Sequence, residues 1–407
     1  MIPFSPPRID DKIIAEVTAA LKSGWITTGP RTKKFEKELA SFCGVENVIC
    51  LNSATAGLEI MLRWFGVGPG DEVIIPAYTY SATANVVMHC GAKPVLVDAG
   101  NDFNIAIDQI AKAITKKTKV IMPVDIGGLP CNYNAIFDII NKPNIKSLFS
   151  PTNKKQEDLG RIMVLSDAAH SVGATYQNKK TGNWADASVF SFHAVKNLTT
   201  AEGGAIALSF PAPFNNEEIY KFLCIYTLHG QNKDALAKMQ KGNWRYDIVE
   251  AGYKCNMTDL MAAIGLVELS RYESETLPKR KHICEAYQAY FKKFEWAELP
   301  TLQIKESNSI SSFHLYQLRI KNISELQRDQ ILQKIFDKDV SVNVHFIPLP
   351  MLTFYKNAGY VMKDYPVAYD NYSREISLPV FYDLTDEMIA VVCKAVSESA
   401  MEVINSK

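Results

Sequence analysis

The chain has no net charge of either sign. Its 44 Lys and Arg residues balance 44 Asp and Glu residues over 407 positions. No basic field therefore argues for nucleic acid or an anionic membrane surface. Eight cysteines are scattered without a C-x-x-C pair. No zinc spacing appears, a disulfide framework is not expected at this length, and buried thiols in a reducing compartment are. No uninterrupted apolar run is long enough to cross a bilayer. The start, M-I-P-F-S-P-P-R, lacks a charged head followed by an apolar core, so no signal peptide is expected and the cytoplasm is the default. Internal repeats and low-complexity tracts are absent as well. So is a dinucleotide fingerprint, because a strand rather than a helix follows the turn from Gly66 to Asp71.

What is present is an ordinary globular composition, 47% apolar and 22% charged. The length suits two domains rather than one core. A large domain is expected over residues 1–265, N-terminal segment included, and a smaller one over 266–407. Strand–helix alternation from Val48 to Leu208 implies an α/β fold with a mostly parallel sheet. Strands are expected at Val48–Leu51, Glu72–Ile75, Val95–Asp98, Val120–Val124, Ile162–Leu165, Ala187–Phe192 and Ala205–Leu208. Helices are expected at Ile9–Ser23, Lys34–Cys43, Leu58–Phe65, Ile107–Ile114 and Glu217–Tyr226. A long polar loop should run from Leu228 to Tyr246. Thr258 or Asp259 should cap a helix over Leu260–Leu269. One long helix, Arg271–Phe294, would lead into an α+β domain with strands at Phe313–Ile320, Val340–Phe346 and Ile376–Leu378. Helices Ser324–Phe336 and Asp386–Ser399 complete it. Residues 141–160 are polar, carry Pro143 and Pro151, and read as a surface insertion.

Chemistry gathers between Leu159 and Leu208. Asp167 and His170 lie just past one apolar run, and Ser191 and Lys196 at the end of the next. Polar groups at the ends of buried strands, aimed into one crevice, are how open α/β sheets build sites. These four suit pyridoxal 5'-phosphate (PLP). That cofactor needs a lysine amine for its aldehyde, a carboxylate to keep its ring nitrogen protonated, and donors for its phosphate. A lone lysine is usually solvated, but an apolar strand delivers Lys196 beside D-A-A-H and S-F-H. Further upstream, the small residues Ser53 to Gly57 precede a helix. They either let backbone N–H groups approach an anion or simply pack the helix on the sheet. Tyr80, at a strand exit, is either core or a stacking partner for a planar ring.

The blocks D-A-A-H-S, S-F-H-A-V-K-N and E-G-G resemble the DegT/StrS-type nucleotide-sugar aminotransferases, PLP enzymes of fold type I. The resemblance implies a mostly parallel seven-stranded sheet flanked by helices, plus a smaller C-terminal α+β domain. It puts PLP on Lys196, Asp167 at the ring nitrogen and His170 near the phenolic oxygen. It puts Tyr80 on the ring face, and Ser191, Thr55 and the backbone near Ala54 at the phosphate; the family usually has glycine where Ala54 stands. Asn256 in G-Y-x-x-N-M-T-D would reach the partner subunit's phosphate; Lys254 is the alternative, and a plain helix-capping loop is the other reading. Thr27 and Thr28 in the W-I-T-T-G-P block, and His345 in a V-H-Y-x-P-L-like segment, would border the substrate. The implied reaction carries an amino group from glutamate or glutamine to a keto group of a nucleotide-linked sugar, for amino-sugar or surface polysaccharide biosynthesis. A homodimer with shared sites is implied, with no nucleic-acid, membrane or metal partner. Dehydratase relatives replace the lysine with histidine, so Lys196 favours transamination. A fold type I enzyme acting on another keto substrate would want an arginine clamp, for which only Arg319 stands out. A non-catalytic PLP-binding regulator is opposed by the joint presence of the lysine, the aspartate and the phosphate-side residues.

Overall fold

A computed structural model describes residues 1–232 and 245–406; most of the polar loop expected up to Tyr246 lies outside the described residues. The central sheet has seven strands: β1 (Asn47–Leu51), β2 (Glu72–Pro76), β3 (Lys93–Val97), β4 (Thr118–Ile121), β5 (Met163–Asp167), β6 (Ala187–Ser191) and β7 (Gly204–Leu208). Their order is β1-β7-β6-β5-β4-β2-β3. Only β7 runs antiparallel to its neighbours; the remaining pairs are parallel. Strands β4 to β7 are buried at every position. Near-continuous apolar strands are what a sheet covered on both faces requires. The fold is therefore α/β with a mostly parallel sheet, as the alternation implied.

Helix α1 spans Asp11–Lys22, within its expected range. The next two helices begin about a turn earlier than expected; α2 spans Pro30–Cys43, four residues ahead of the expected Lys34. Proline is well suited to that first position, where its missing N–H has no partner to lose. Helix α3 spans Ala54–Trp64, with Ser53 accepting the Ala56 N–H as cap. The small residues there form its first turn, and they are small because α3 packs tightly on the sheet. A Cβ at Gly57 would sit 2.8 Å from Val189 Cγ1. Helix α4 spans Ser81–His89, and α5 spans Asp259–Ser270 with Thr258 as its cap. Asp259 also serves α2. Its carboxylate accepts the N–H groups of Gly29, Arg31 and Thr32 and the Thr32 hydroxyl.

The C-terminal half corrects two expectations. Arg271–Phe294 is not one helix: a π turn at Tyr272–Thr276 precedes a helix at Leu277–Phe291. Pro278 explains the break, since it donates no N–H and its ring crowds the carbonyl one turn back. Val340–Phe346 is not a strand. It bridges only Ile2 at Val340 and Ser377 at Asn343. Side chains capture its next N–H groups: Val344 donates to Asn343 Oδ1 and His345 to Glu375 Oε2. The second sheet is antiparallel and holds Ala297–Glu298, Tyr316–Ile320 and Glu375–Leu378. Residues 141–160, expected as a surface insertion, form short helices at Pro143–Lys146 and Lys154–Leu159. Gln156 is fully buried, and it and Asn153 both donate to the Phe65 carbonyl at the end of α3.

Two apolar clusters matter for the site. One surrounds the central sheet and recruits Leu349, Tyr355 and Tyr372 from far along the chain. The other packs around Tyr316, Leu318 and Ile376 and takes in Ile2. The chain's first residues thus cross to the second cluster, passing the carboxyl ends of β5 and β6 on the way.

Candidate active site

A cavity of about 380 Å³ opens at those strand ends. Lys196, Asp167, His170 and Ser191 all line it. So do Tyr80, Ala54, Thr55 and His345.

Asp167 is the last residue of β5, and its N–H is tied to the Pro123 carbonyl at 2.9 Å. Its side chain is buried. Oδ2 accepts from Thr83 Oγ1 at 2.8 Å and Oδ1 from the Ala169 N–H at 3.3 Å. Burial raises its pKa, opposed by those two bonds and by the charge of Lys196. Lys196 follows β6 in a tight turn, its N–H donating to the His193 carbonyl at 2.8 Å. Burial brings its amine down to about 8, with the Asp167 charge acting the other way. The carboxylate bonds to Thr83 and Ala169, leaving the space between it and the amine to the cavity.

Three histidines meet here. His170 Nδ1 accepts the Gly127 N–H at 3.3 Å. Burial, then the charges of Lys196 and His345, hold its pKa well below the usual value, so the ring is neutral with its proton on Nε2. Its ring centre lies 4.3 Å from that of His314 and 5.7 Å from that of Phe346. His314 Nδ1 lies 2.8 Å from Asn197 Oδ1. His345, half-buried, has its pKa lowered by burial and by Lys196 to about 4.

The remaining side of the cavity is an anion cradle. Ala54 and Thr55 open α3, so their N–H groups lie ahead of its first internal bond and at the positive end of its dipole. The Ser191 hydroxyl and Thr55 flank them. Backbone approaches closely here, because a Cβ on Gly204 would sit 2.4 Å from Ala54 N. A buried carboxylate, an amine of lowered pKa and a helix start with hydroxyls fit a phosphorylated pyridine aldehyde. Tyr80 stands at the rim, 63% exposed, its ring 5.8 Å from Phe346.

Thr27, Thr28 and Asn256 do not line this cavity; they form a separate cluster. Asn256 Nδ2 donates to Thr28 Oγ1, which donates to the Met257 carbonyl. The Asp259 N–H donates to the Thr27 carbonyl at 3.0 Å, and Lys254 reaches the Asn256 side-chain oxygen. Sequence reasoning missed Thr83, His314, Phe346 and Phe4, which also line the cavity. Thr83 carried a signal, being three residues past Tyr80, almost one turn into a helix. His314 and Phe4 carried none.

The DegT/DnrJ/EryC1/StrS aminotransferase family model matches residues 7–149 and 154–397. Its break falls within the polar segment 141–160. A Streptococcus pneumoniae protein described as a sugar aminotransferase, solved in its PMP form, superposes with a TM-score of 0.95 at 45% identity, covering 99% of this chain and 100% of that one. Its PLP form gives 0.93 at 43%, covering 99% of both. The spore coat polysaccharide biosynthesis protein SpsC of Bacillus subtilis is 35% identical over 402 residues, 98% of this chain and 96% of its own. Helicobacter pylori PseC, an aminotransferase of pseudoaminic acid biosynthesis, superposes at 0.84 with 28% identity over 98% of this chain and 99% of that one.

Proposed function

The chain belongs to the DegT/DnrJ/EryC1/StrS aminotransferase family and is a PLP-dependent aminotransferase; from that premise we propose that it moves the amino group of glutamate or glutamine onto a keto carbon of a nucleotide-linked sugar. The product would enter amino-sugar or surface polysaccharide synthesis in the cytoplasm. The names of SpsC and PseC support that direction. The carrying observation is one cavity that holds Lys196, Asp167 and the start of α3 together.

Bound PLP supplies an aldehyde and a ring that draws electrons from the substrate carbon. Lys196 is the amine that would hold the cofactor's aldehyde end, and with a pKa brought close to the working range by burial it could take up and return the substrate's carbon proton. Asp167 holds the protonated ring nitrogen, and Thr83 aims the carboxylate. His170 offers its Nε2 proton to the phenolic oxygen, its other nitrogen being occupied by Gly127. Ser191, Thr55 and the amides at Ala54 and Thr55 hold the phosphate. Tyr80 covers the ring, and His345 faces the sugar. In a homodimer, Asn256, Thr27 and Thr28 serve the partner's site. Two domains, 1–265 and 266–407, are the working division: apart from Ile2 the second cluster comes from the later one, although the first also draws Leu349, Tyr355 and Tyr372 from it.

The test is spectroscopic. Glutamate added to PLP-loaded protein should replace the aldehyde absorbance with that of the amine form, and keto-sugar nucleotides should reverse it. No change with any amino donor would leave a cofactor-binding regulator. Reversal by simple keto acids alone would make this a fold type I enzyme for another substrate.

A further inference from the structure

His345 is the polar residue that the C-terminal third contributes to the cavity beyond His314. Its surroundings fix it from several directions. Its N–H donates to Glu375 Oε2 at 3.0 Å. Its carbonyl accepts from Gln317 Nε2 at 2.8 Å and from the Tyr78 hydroxyl. The Phe4 ring stacks on the imidazole, with centres 5.4 Å apart and planes 22° apart. Nδ1 lies 2.9 Å from Ser377 Oγ. That hydroxyl in turn lies 2.5 Å from Glu375 Oε1. Glu375 and Ser377 are fully buried and two apart on one strand, hence on the same face.

A serine hydroxyl has one proton, so the chain Glu375–Ser377–His345 has a direction. With Glu375 ionised, Ser377 donates to the carboxylate and accepts from Nδ1–H, which leaves Nε2 as a lone pair. With Glu375 neutral, its proton goes to Ser377, Ser377 donates to Nδ1, and Nε2 carries the hydrogen. We propose that Glu375, acting through Ser377 as a positioning pair, sets whether His345 accepts or donates a hydrogen bond toward the hydroxyl groups of a sugar substrate. The assignment of the ligand rests on the sugar-aminotransferase reading above; the relay itself does not.

The groups facing the relay are few. Arg319 stands opposite Glu375 on the adjacent strand, its guanidinium held by Glu298 and Asn371; Arg328 donates to the Glu375 carbonyl at 3.2 Å, and Tyr78 comes from just past β2. Burial pushes Glu375 up to about 8, opposed by Ser377, the His345 N–H and the two arginines. On the cavity side Lys196 and the neutral His170 and His314 complete the set. The His345 ring stays neutral across this range, since burial and Lys196 hold its own pKa near 4. Only the location of its single proton changes. An unprotonated imidazole nitrogen is a strong acceptor for an O–H, so sugar binding tightens as pH rises through the Glu375 titration.

The experiment uses PLP-loaded protein labelled with ¹⁵N-histidine, with the His345 signals assigned by their loss in His345→Asn. In the native protein Nε2 should pass from protonated to unprotonated as pH rises through about 8. Glu375→Gln has a side-chain amide that donates to Ser377, so Nε2 should remain protonated at every pH. Ser377→Ala should remove the transition, and it decides the matter if the glutamine variant does not fold. In steady state at pH 9, Glu375→Gln should raise KM for the sugar acceptor about tenfold, the weight of one hydrogen bond, with a smaller effect on kcat. A ring that titrates in both variants as in the native protein, or a KM that does not move, would overturn the relay. Native protein that is silent toward amino donors would instead sink the functional reading, and the ring-nitrogen titration would still judge the relay.

Discussion

The position of Lys196 changes its chemistry. Only a neutral amine attacks an aldehyde, and burial brings this one down to about 8. The rate at which PLP loads the empty protein should therefore rise about tenfold per pH unit below that value and level off above it. Stopped-flow absorbance reads this directly, and a flat rate from pH 6 to 8 would contradict it. Thr83 gives a second prediction. Thr83→Ala removes a hydrogen bond that keeps Asp167 ionised against burial. The Asp167 pKa then rises further, so the acid limb of the pH–kcat profile should move to higher pH. Turnover should fall about tenfold, and Thr83→Ser should restore it. Asp167 and Lys196 were legible because one ends a short apolar strand and the other follows the next in a turn. Thr83 carried only a spacing signal, and it takes the packing of α4 to bring its hydroxyl to Asp167. The His170–His314 contact joins residues far apart in sequence, and no local pattern encodes it.

At the scale of elements, the start of α3 decides whether a phosphate has anywhere to sit. Gly204 is the element-level requirement, since β7 passes beneath that start with no room for a side chain. Gly204→Ala should weaken PLP affinity about a hundredfold by displacing the Ala54 and Thr55 amides, with the far-ultraviolet circular dichroism unchanged. Affinity equal to native, measured by cofactor titration, would show that the cradle is elsewhere. The seven strands were readable because each is a short apolar run between turn residues. The starts of α2 and α3 were not, since Pro30 and the small residues Ala54 to Gly57 look like loop until packing explains them. Val340–Phe346 satisfied strand alternation, yet after isolated bridges at Val340 and Asn343 the Val344 and His345 N–H groups go to the Asn343 and Glu375 side chains instead of a ladder.

At the scale of the molecule, the two ends of the chain tie its halves together. Ile2 lies in the second apolar cluster while Phe4 reaches the cavity. Residues such as Tyr355 return to the first cluster. Neither crossing leaves a trace in composition or periodicity. The Thr28–Asn256 cluster is separate from the chain's own cavity. Lys196→Ala and Asn256→Ala proteins, each inactive alone, should regain part of the activity when mixed and allowed to exchange subunits. A mixture that stays inactive while sedimenting as a dimer would remove Asn256 from the partner's site.

The most direct test is to trap the bond at the centre of the account. Borohydride reduction of the PLP-loaded protein, followed by digestion and mass mapping, should leave the pyridoxyl group on the peptide carrying Lys196 and on no other lysine. Label on a different lysine, or none at all, would contradict it.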